Sequence, residues 1–161
     1  MSVNTAKAPR RALNFTCLGC VAKDLDGIQA AHHAGTLRTT GNWNPGEIMD
    51  HCAILYEAGL DGSKQRMPWL AKLLGRFFKK QLLKPGGMKP GFKLPKDAVE
   101  MMPRPGVTFD EGMKRMRRAL QRLERGEQMT KPSPFLGPLT HDEWVRLNIN
   151  HTQMHFSFMA Y

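Results

Sequence analysis

Long apolar runs are missing from this sequence of 161 residues. No run approaches the roughly 20 residues that a helix needs to cross a bilayer. Residues 1–11 are polar and basic and lack the apolar stretch of a secretory signal. We therefore expect a protein that has no membrane span and resides in the cytoplasm.

Cysteine is scarce, and the count of three is odd. An odd count argues against a disulfide framework and fits reduced thiols. Cys17 and Cys20 form a CxxC motif, which is half of a four-ligand zinc site, but the sequence has no second CxxC. A thioredoxin-type role requires a preceding strand, for which the sequence gives no pattern. We interpret the pair as core or surface thiols, with a metal or redox role as the less favoured alternative.

Convincing strand patterns are also absent, whereas helical periodicity recurs along the chain. Apolar residues at spacings of three and four predict four main helices, over residues 15–34, 44–59, 108–126 and 140–161. With 41% apolar residues, a chain of this length can bury a core. The sequence therefore predicts an all-α bundle, formed by one domain over residues 1–161 with a flexible tail at residues 1–11.

Three of the predicted helices begin with a capping box, in which the cap side chain and a glutamate three residues later satisfy each other's backbone N–H groups. The three motifs are Asn44-Pro-Gly-Glu47, Thr108-Phe-Asp-Glu111 and Thr140-His-Asp-Glu143. In the first motif, the proline also suits the first position of a helix. These motifs predict where each helix starts.

Acidic residues are fewer than basic ones, 14 against 24, and the net charge is +10. Residues 64–104 carry 11 lysines and arginines against two acidic residues, a local net charge of +9. Such a segment indicates an anionic small molecule, an anionic partner or a solubilising face. No recognised nucleic-acid motif accompanies the segment, so nucleic acid is a disfavoured partner.

Within the basic segment, residues 67–84 predict an inserted amphipathic helix, and residues 85–107 form a long Pro/Gly-rich connection that excludes helix and central strand. The helix lies mid-chain without a lipidation motif. We therefore expect its apolar face to pack on the bundle or in a homodimer, and we favour this over attachment to an anionic membrane surface. The predicted apolar face comprises Trp69, Leu70, Leu73, Leu74, Phe77, Phe78 and Leu82.

Two histidines four residues apart, His151 and His155, lie on one face of the last predicted helix. His51 lies on the apolar stripe of the second helix, with Ile48, Cys52, Leu55 and Ala58. Three imidazoles converging on one point suit Zn, Ni, Cu or Fe(II), and they leave a coordination position open, as in catalytic sites. No glutamate follows His151, so the HExxH protease mechanism is not supported.

Alternatives to this three-histidine site remain open. The histidines could be hydrogen-bonded core residues, since pairs at this spacing also arise by chance. A fourth ligand could be water, the carboxylate of Glu47, or His32 or His33. A metal could also act only as a structural clamp in a dimeric bundle, with a closed coordination shell.

Several motifs surround these histidines: Gly41-Asn-Trp43-Asn-Pro-Gly-Glu-Ile-Met-Asp-His51, Phe135-Leu-Gly-Pro-Leu-Thr-His-Asp-Glu-Trp144, Asn150-His151 and His155-Phe-Ser-Phe158. With them the chain, from about residue 11 to its end, resembles the DUF1569 branch of the DinB/YfiT-like superfamily of metalloenzymes. The resemblance implies a four-helix bundle whose metal is held by His51, His151 and His155. Relatives in the superfamily include thiol-dependent S-transferases and a mycothiol-dependent maleylpyruvate isomerase, and many members have no assigned reaction.

The leading hypothesis is thus a metal-dependent enzyme, S-transferase-like or hydrolase-like, with Zn or Ni and a small-molecule substrate. An anionic substrate would suit the basic segment. A low-molecular-weight thiol would be its cosubstrate if the S-transferase resemblance holds. The alternative hypothesis is a non-enzymatic binding module that uses residues 64–104 for nucleic acid or an anionic surface. The basic insertion is not part of the superfamily core, so it adds a feature that the resemblance does not explain.

Overall fold

The computed structural model describes residues 2–65, 67–91 and 99–161 of the chain. Within these residues the chain is mostly helical, which agrees with the predicted all-α class. The described elements, in chain order, are α1 (Leu18–His33), β1 (Arg38–Thr39), α2 (Pro45–Leu60), α3 (Trp69–Leu83), a 3-10 turn (Val99–Met101), α4 (Phe109–Glu124), α5 (His141–Phe156) and β2 (Met159–Ala160).

The predicted starts of three helices are confirmed. Asn44, Thr108 and Thr140 cap α2, α4 and α5, and in each case both hydrogen bonds of the capping box are present. Helix α1 begins three residues later than predicted, after Cys17, and it ends before Gly35, which has a φ of +69°. These ends follow from local chemistry, because each cap satisfies backbone groups that the helix leaves unpaired.

Helix α2 lies at the centre of the packing. Twelve of its 16 residues are buried, so it is covered on more sides than the single stripe that the sequence predicts. Its most extensive contact is with α4 and the next with α5, while α1 contacts both α4 and α5. Helix α3 contacts α5 alone among the more extensive helix pairs of the described residues. A helix buried on nearly all sides fits the apolar composition of α2.

Two glycines let α2 and α4 approach closely at their N-terminal ends. A Cβ atom on Gly112 of α4 would collide with the backbone of Gly46 in α2. A Cβ atom on Gly46 would in turn collide with the carbonyl groups of Val107 and Thr108. The close approach therefore requires glycine at both positions, for reasons of space and not of φ.

The predicted extent of the last helix is wrong at its C-terminal end. Helix α5 ends at Phe156, and Met159–Ala160 pairs as an antiparallel strand with Arg38–Thr39, where the sequence predicts only a turn. The carbonyl of Ser157 accepts a hydrogen bond from the backbone N–H of Arg11, and that of Phe158 accepts one from Thr40. These partners, distant in sequence, draw the chain out of the helix.

The apolar face of α3 does not pack on the bundle, which was one of the two predicted arrangements, while its packing in a homodimer stays a prediction. Trp69 is 75% exposed and Phe77 is 81% exposed. The inner face instead contains Gly75, where a Cβ atom would collide with the Phe135 carbonyl, and Lys79, which pairs with a glutamate of α5. Helix α3 thus directs a broad apolar face away from the body, formed by Trp69, Leu70, Leu73, Leu74, Phe77 and Phe78.

The basic connection is described only in part, since residues 92–98 lie outside the described residues. After these residues, the connection forms the 3-10 turn Val99–Met101, which contacts α2.

Near the N-terminus, Arg11 forms an ion pair with Asp24 through two hydrogen bonds. The single domain and the flexible tail stay predictions. Across the described part of the chain, no helix has both the length and the apolar character that a membrane crossing requires.

Candidate metal centre

The structure brings together the three histidines that the sequence singles out. His51 comes from α2 and is 7% exposed, while His151 and His155 come from successive turns of α5 and are partly buried. One ligand nitrogen from each lies within 4.8 Å of the others. The ring centroids are 4.5 to 4.8 Å apart. The group could therefore hold a metal ion.

A backbone carbonyl fixes the orientation of the His51 ring. Nδ1 of His51 lies 2.8 Å from the carbonyl oxygen of Met101, in the 3-10 turn. Because a carbonyl can only accept, Nδ1 carries the proton and donates it, which leaves the lone pair on Nε2. In metal-binding histidines, the ring nitrogen that does not bind the metal usually donates such a hydrogen bond.

The segment that follows the 3-10 turn is held against α2 by the residue that precedes His51. Asp50 is fully buried and accepts hydrogen bonds from the backbone and side chain of Arg104 and from Arg115 of α4. Burial by itself raises the pKa of the Asp50 carboxyl, but the hydrogen bonds from the two arginines outweigh it and hold that pKa below its usual range. Asp50 therefore stays ionised and ties α2, α4 and the turn together.

An aromatic ring covers one side of the group. The Trp43 ring lies 5.4 Å from the His155 ring, nearly parallel to it, and 4.7 Å from the His51 ring. Trp43 precedes the cap of α2, so the turn before that helix positions it. The indole limits the directions from which water or a ligand can reach the imidazoles.

All three imidazoles are neutral at physiological pH. Burial lowers the pKa of His51 to about 4. Burial lowers the pKa of His151 and His155 well below the usual histidine value, and repulsion between protonated imidazoles lowers it further. Neutral imidazole is the form that binds a metal, so no proton has to be removed first.

Two further observations test whether the group suits a metal. Nδ1 of His151 is buried and has no hydrogen-bond partner among the residues that the structure describes, which is uncommon for a buried polar atom. Beside it, a cavity of about 20 Å³ is lined by His51, His151, Met101 and Ser63 together with apolar side chains of α2. An unpartnered nitrogen and space for about one water molecule fit three protein ligands plus one open position.

The fourth-ligand candidates named from the sequence lie elsewhere. The Glu47 carboxylate is occupied by the backbone N–H groups of Asn44 and Gly106. His32 stacks on Phe109 with ring centroids 3.6 Å apart, and His33 is exposed beside it. Among the described residues, the group of metal-capable side chains comprises the three histidines and no carboxylate.

Sequence reasoning did not assign a site role to Trp43, Asp50 or the Met101 carbonyl. A signal for Trp43 existed, since the tryptophan stands eight residues before His51 in the motif that carries the resemblance. Asp50 also precedes a predicted ligand on an apolar helix. Met101 gave no signal, because its contribution is a backbone atom that any residue could supply.

Fold and site together define a mostly helical protein with one buried and two partly buried histidines that could hold a metal. Residues 7–161 match the family DUF1569, described as a protein of unknown function. The match spans nearly the whole chain, so the protein belongs to the DUF1569 family. No curated protein and no solved structure matches the chain.

Proposed function

We propose that this protein is a metal-dependent enzyme of the DinB-like superfamily, in which His51, His151 and His155 hold one Zn or Ni ion. Helices α1, α2, α4 and α5 would be the four-helix bundle of that superfamily. One observation carries the proposal: three neutral imidazoles from two helices converge beside a cavity, and one of them has a buried nitrogen without a partner in the described part of the chain.

A divalent ion held by the three imidazoles would supply Lewis acidity, which would lower the pKa of a water or thiol toward neutrality. The chain contributes the remaining parts. The Met101 carbonyl orients His51, Asp50 holds the turn that carries Met101, and Trp43 restricts access to the imidazoles. Three ligands with an adjacent cavity favour a catalytic role over a closed structural clamp.

A narrower proposal is thiol-dependent S-transfer onto an anionic small molecule. It follows from the family resemblance and from the charges near the cavity. The Arg104 side chain is 61% exposed and lies three residues from Met101, and Lys64 follows Ser63 of the cavity lining. Lys64 and Arg104, whose guanidinium also pairs with Asp50, would attract a carboxylate or phosphate toward this side of the protein.

The first test is the metal content of the purified chain by elemental mass spectrometry. We expect about one Zn or Ni per chain, lost in His51→Ala, His151→Ala and His155→Ala. His33→Ala serves as the matched control, because His33 is exposed on α1 and outside the group. A folded wild-type chain that cannot be loaded with either metal would refute the metal site.

The second test measures the chemistry. Glutathione and cysteine would be incubated with an electrophilic, carboxylate-bearing substrate, and the loss of free thiol would be followed with and without loaded protein. We expect a rate above background that His155→Ala abolishes and His33→Ala retains. If protein loaded with metal gives no rate enhancement, the S-transferase proposal is refuted. The metal site is then decided by the first test alone.

A second candidate function rests on α3. Its apolar face is exposed in the part of the chain that the structure describes, and the helix carries the exposed cations Lys72, Arg76 and Lys80 and no acidic residue. An exposed apolar face bordered by cations is typical of helices that lie in the interface of an anionic membrane. We propose that α3 docks the protein on an anionic lipid surface, in line with the anionic-surface alternative.

Charge complementarity favours lipid over a second copy of the chain. A twofold interface brings the same surface of both copies together. Lys72, Arg76 and Lys80 would then face like charges, and α3 has no carboxylate to offset them. Anionic headgroups offset these charges, at about 1 kcal/mol for each basic residue near the surface.

The test is sedimentation with vesicles of phosphatidylglycerol and phosphatidylcholine, compared with phosphatidylcholine alone. We expect binding to the anionic vesicles only, weakened more than about tenfold by Phe77→Ser, since burial of one phenylalanine is worth about 1.5–3 kcal/mol. Val99→Ser is the control, because Val99 is 69% exposed outside α3. Absence of vesicle binding would refute the proposal, as would a dimer or a nucleic-acid complex that depends on Phe77.

A further inference from the structure

Two cysteines that the metal site does not use lie side by side at the start of α1. Cys17 is the N-cap of the helix and Cys20 lies in its first turn. Their sulfur atoms are 2.8 Å apart. Cys17 is exposed and Cys20 is partly exposed, so reagents in solution can reach the pair. The spacing of three residues on a helical turn places both thiols on one face.

The start of a helix favours the thiolate form of a cysteine. The Cys17 sulfur accepts a hydrogen bond from the backbone N–H of Cys20 at 3.3 Å, and the first turn of α1 contains no acidic residue. A hydrogen bond from Cys17 and interactions with Thr16 lower the pKa of the Cys20 thiol to about 7. A sizeable fraction of the pair is therefore ionised near neutral pH.

The third cysteine provides an internal contrast. Cys52 is fully buried in α2, beside the residue that joins the histidine group. Burial raises the pKa of its thiol far above the usual value, so it is protonated and shielded from reagents. Of the three cysteines, Cys17 and Cys20 are the two that reach solvent and have another thiol beside them.

Zinc binding explains the pair less well. A structural zinc site needs four protein ligands. Among the described residues, no group of three or more metal-capable side chains includes Cys17 or Cys20. Two thiols in contact without further ligands are the arrangement of a dithiol that can close to a disulfide.

We propose that Cys17 and Cys20 form a redox-active dithiol that exchanges with low-molecular-weight disulfides. The thiolate of one cysteine attacks a sulfur of the disulfide RSSR, which forms a mixed disulfide with the protein and releases RS⁻. The second cysteine loses its proton to solvent and attacks the protein sulfur of the mixed disulfide, which closes the Cys17–Cys20 bond and releases the second RS⁻. The protein gives up two electrons and two protons, and RSSR becomes two RSH.

The test equilibrates the full chain in glutathione buffers of graded ratio, followed by denaturation, alkylation with iodoacetamide and intact-mass analysis. Reduced protein should carry three alkyl groups and oxidised protein one, on Cys52. Closure within the chain should allow oxidation even when reduced glutathione is in excess, because the second thiol acts at high effective concentration. In that buffer we expect at least tenfold more oxidised wild type than mixed disulfide in Cys17→Ser or Cys20→Ser.

Cys52→Ser is the matched control and should oxidise like the wild type. Circular dichroism would verify that the serine variants are folded, which we expect because both positions reach solvent. The proposal is overturned if the wild type keeps three alkylated cysteines in oxidising buffer, or if the single-cysteine variants are oxidised to the same extent. It does not depend on the metal site, because no residue is shared between them.

Discussion

Asp50 and His51 are neighbours in sequence on α2 but contact different groups. The His51 ring points into the histidine group, while the Asp50 carboxylate binds Arg104 and Arg115. Arg104 is three residues from Met101, whose carbonyl accepts a hydrogen bond from His51. Asp50 is therefore a positioning residue, because it reaches His51 only through the turn that it holds.

The substitution Asp50→Asn tests this role. We expect a loss of about 3 kcal/mol in unfolding free energy, since a buried ion pair loses one partner. We also expect metal affinity to fall by about tenfold, because the support of a ligand is weakened. Urea denaturation and titration with Zn would measure the two effects.

The control for Asp50→Asn is Glu57→Gln. Glu57 also pairs with Arg115, but it does not contact Arg104, and its side chain is partly exposed. Glu57→Gln should lower the free energy of unfolding without changing the affinity for Zn. Equal Zn affinity in Asp50→Asn and the wild type would show that the turn does not depend on Asp50.

Contacts between helices set the distances within the candidate site. The close approach of α2 and α4 at Gly46 and Gly112 brings Arg115 of α4 within reach of Asp50. At the C-terminal end of α3, the Asn150 amide donates to the carbonyls of Leu82 and Lys84, which ties α3 to α5. The glycines let the backbones of α2 and α4 meet directly, whereas the Asn150 side chain reaches the backbone carbonyls at the end of α3.

Gly112→Ala should destabilise the protein by about 1–3 kcal/mol, because the added methyl group collides with the backbone of Gly46 and the helices must separate. Thermal unfolding would measure the effect. The matched control is Gly19→Ala in α1, where the new Cβ would lie 3.7 Å from the Cys17 sulfur, an ordinary contact. Alanine there should be neutral or stabilise by up to about 1 kcal/mol. Equal effects of the two substitutions would contradict the collision.

Across the whole chain, the histidine group joins segments about 100 residues apart. His51 comes from α2, and His151 and His155 come from α5, the last helix. A ligand that binds only the folded arrangement of these side chains shifts the folding equilibrium toward it. The proposed metal would therefore act on the stability of the protein as well as on its chemistry.

Zn at 100 times its dissociation constant should raise the unfolding free energy by about 2.7 kcal/mol. For a chain of this size, that corresponds to a rise in Tm of about 5–10 °C. Differential scanning fluorimetry with and without a chelator would measure the shift. His155→Ala should show no rise and His33→Ala the full rise. A rise of the same size in His155→Ala would place the bound metal elsewhere.

Features set by near neighbours in the chain could be predicted from the sequence. The capping boxes begin three helices where their residues predict, because cap and glutamate stand three residues apart and need no other partner. The i, i+4 spacing of His151 and His155 likewise fixes their shared face. The burial of His51 followed from its place on an apolar stripe.

Features set by distant partners required the tertiary structure. The sequence shows that α3 is amphipathic, but only the packing of Gly75 against Phe135 decides that its apolar face turns outward. The end of α5 at Phe156 depends on backbone partners near residues 11 and 40. The orientation of His51 depends on a carbonyl 50 residues away. Local hydrogen bonds and helical periodicity depend on residues that are close in sequence, so the sequence predicts them. Long-range partners are selected only when the whole core packs.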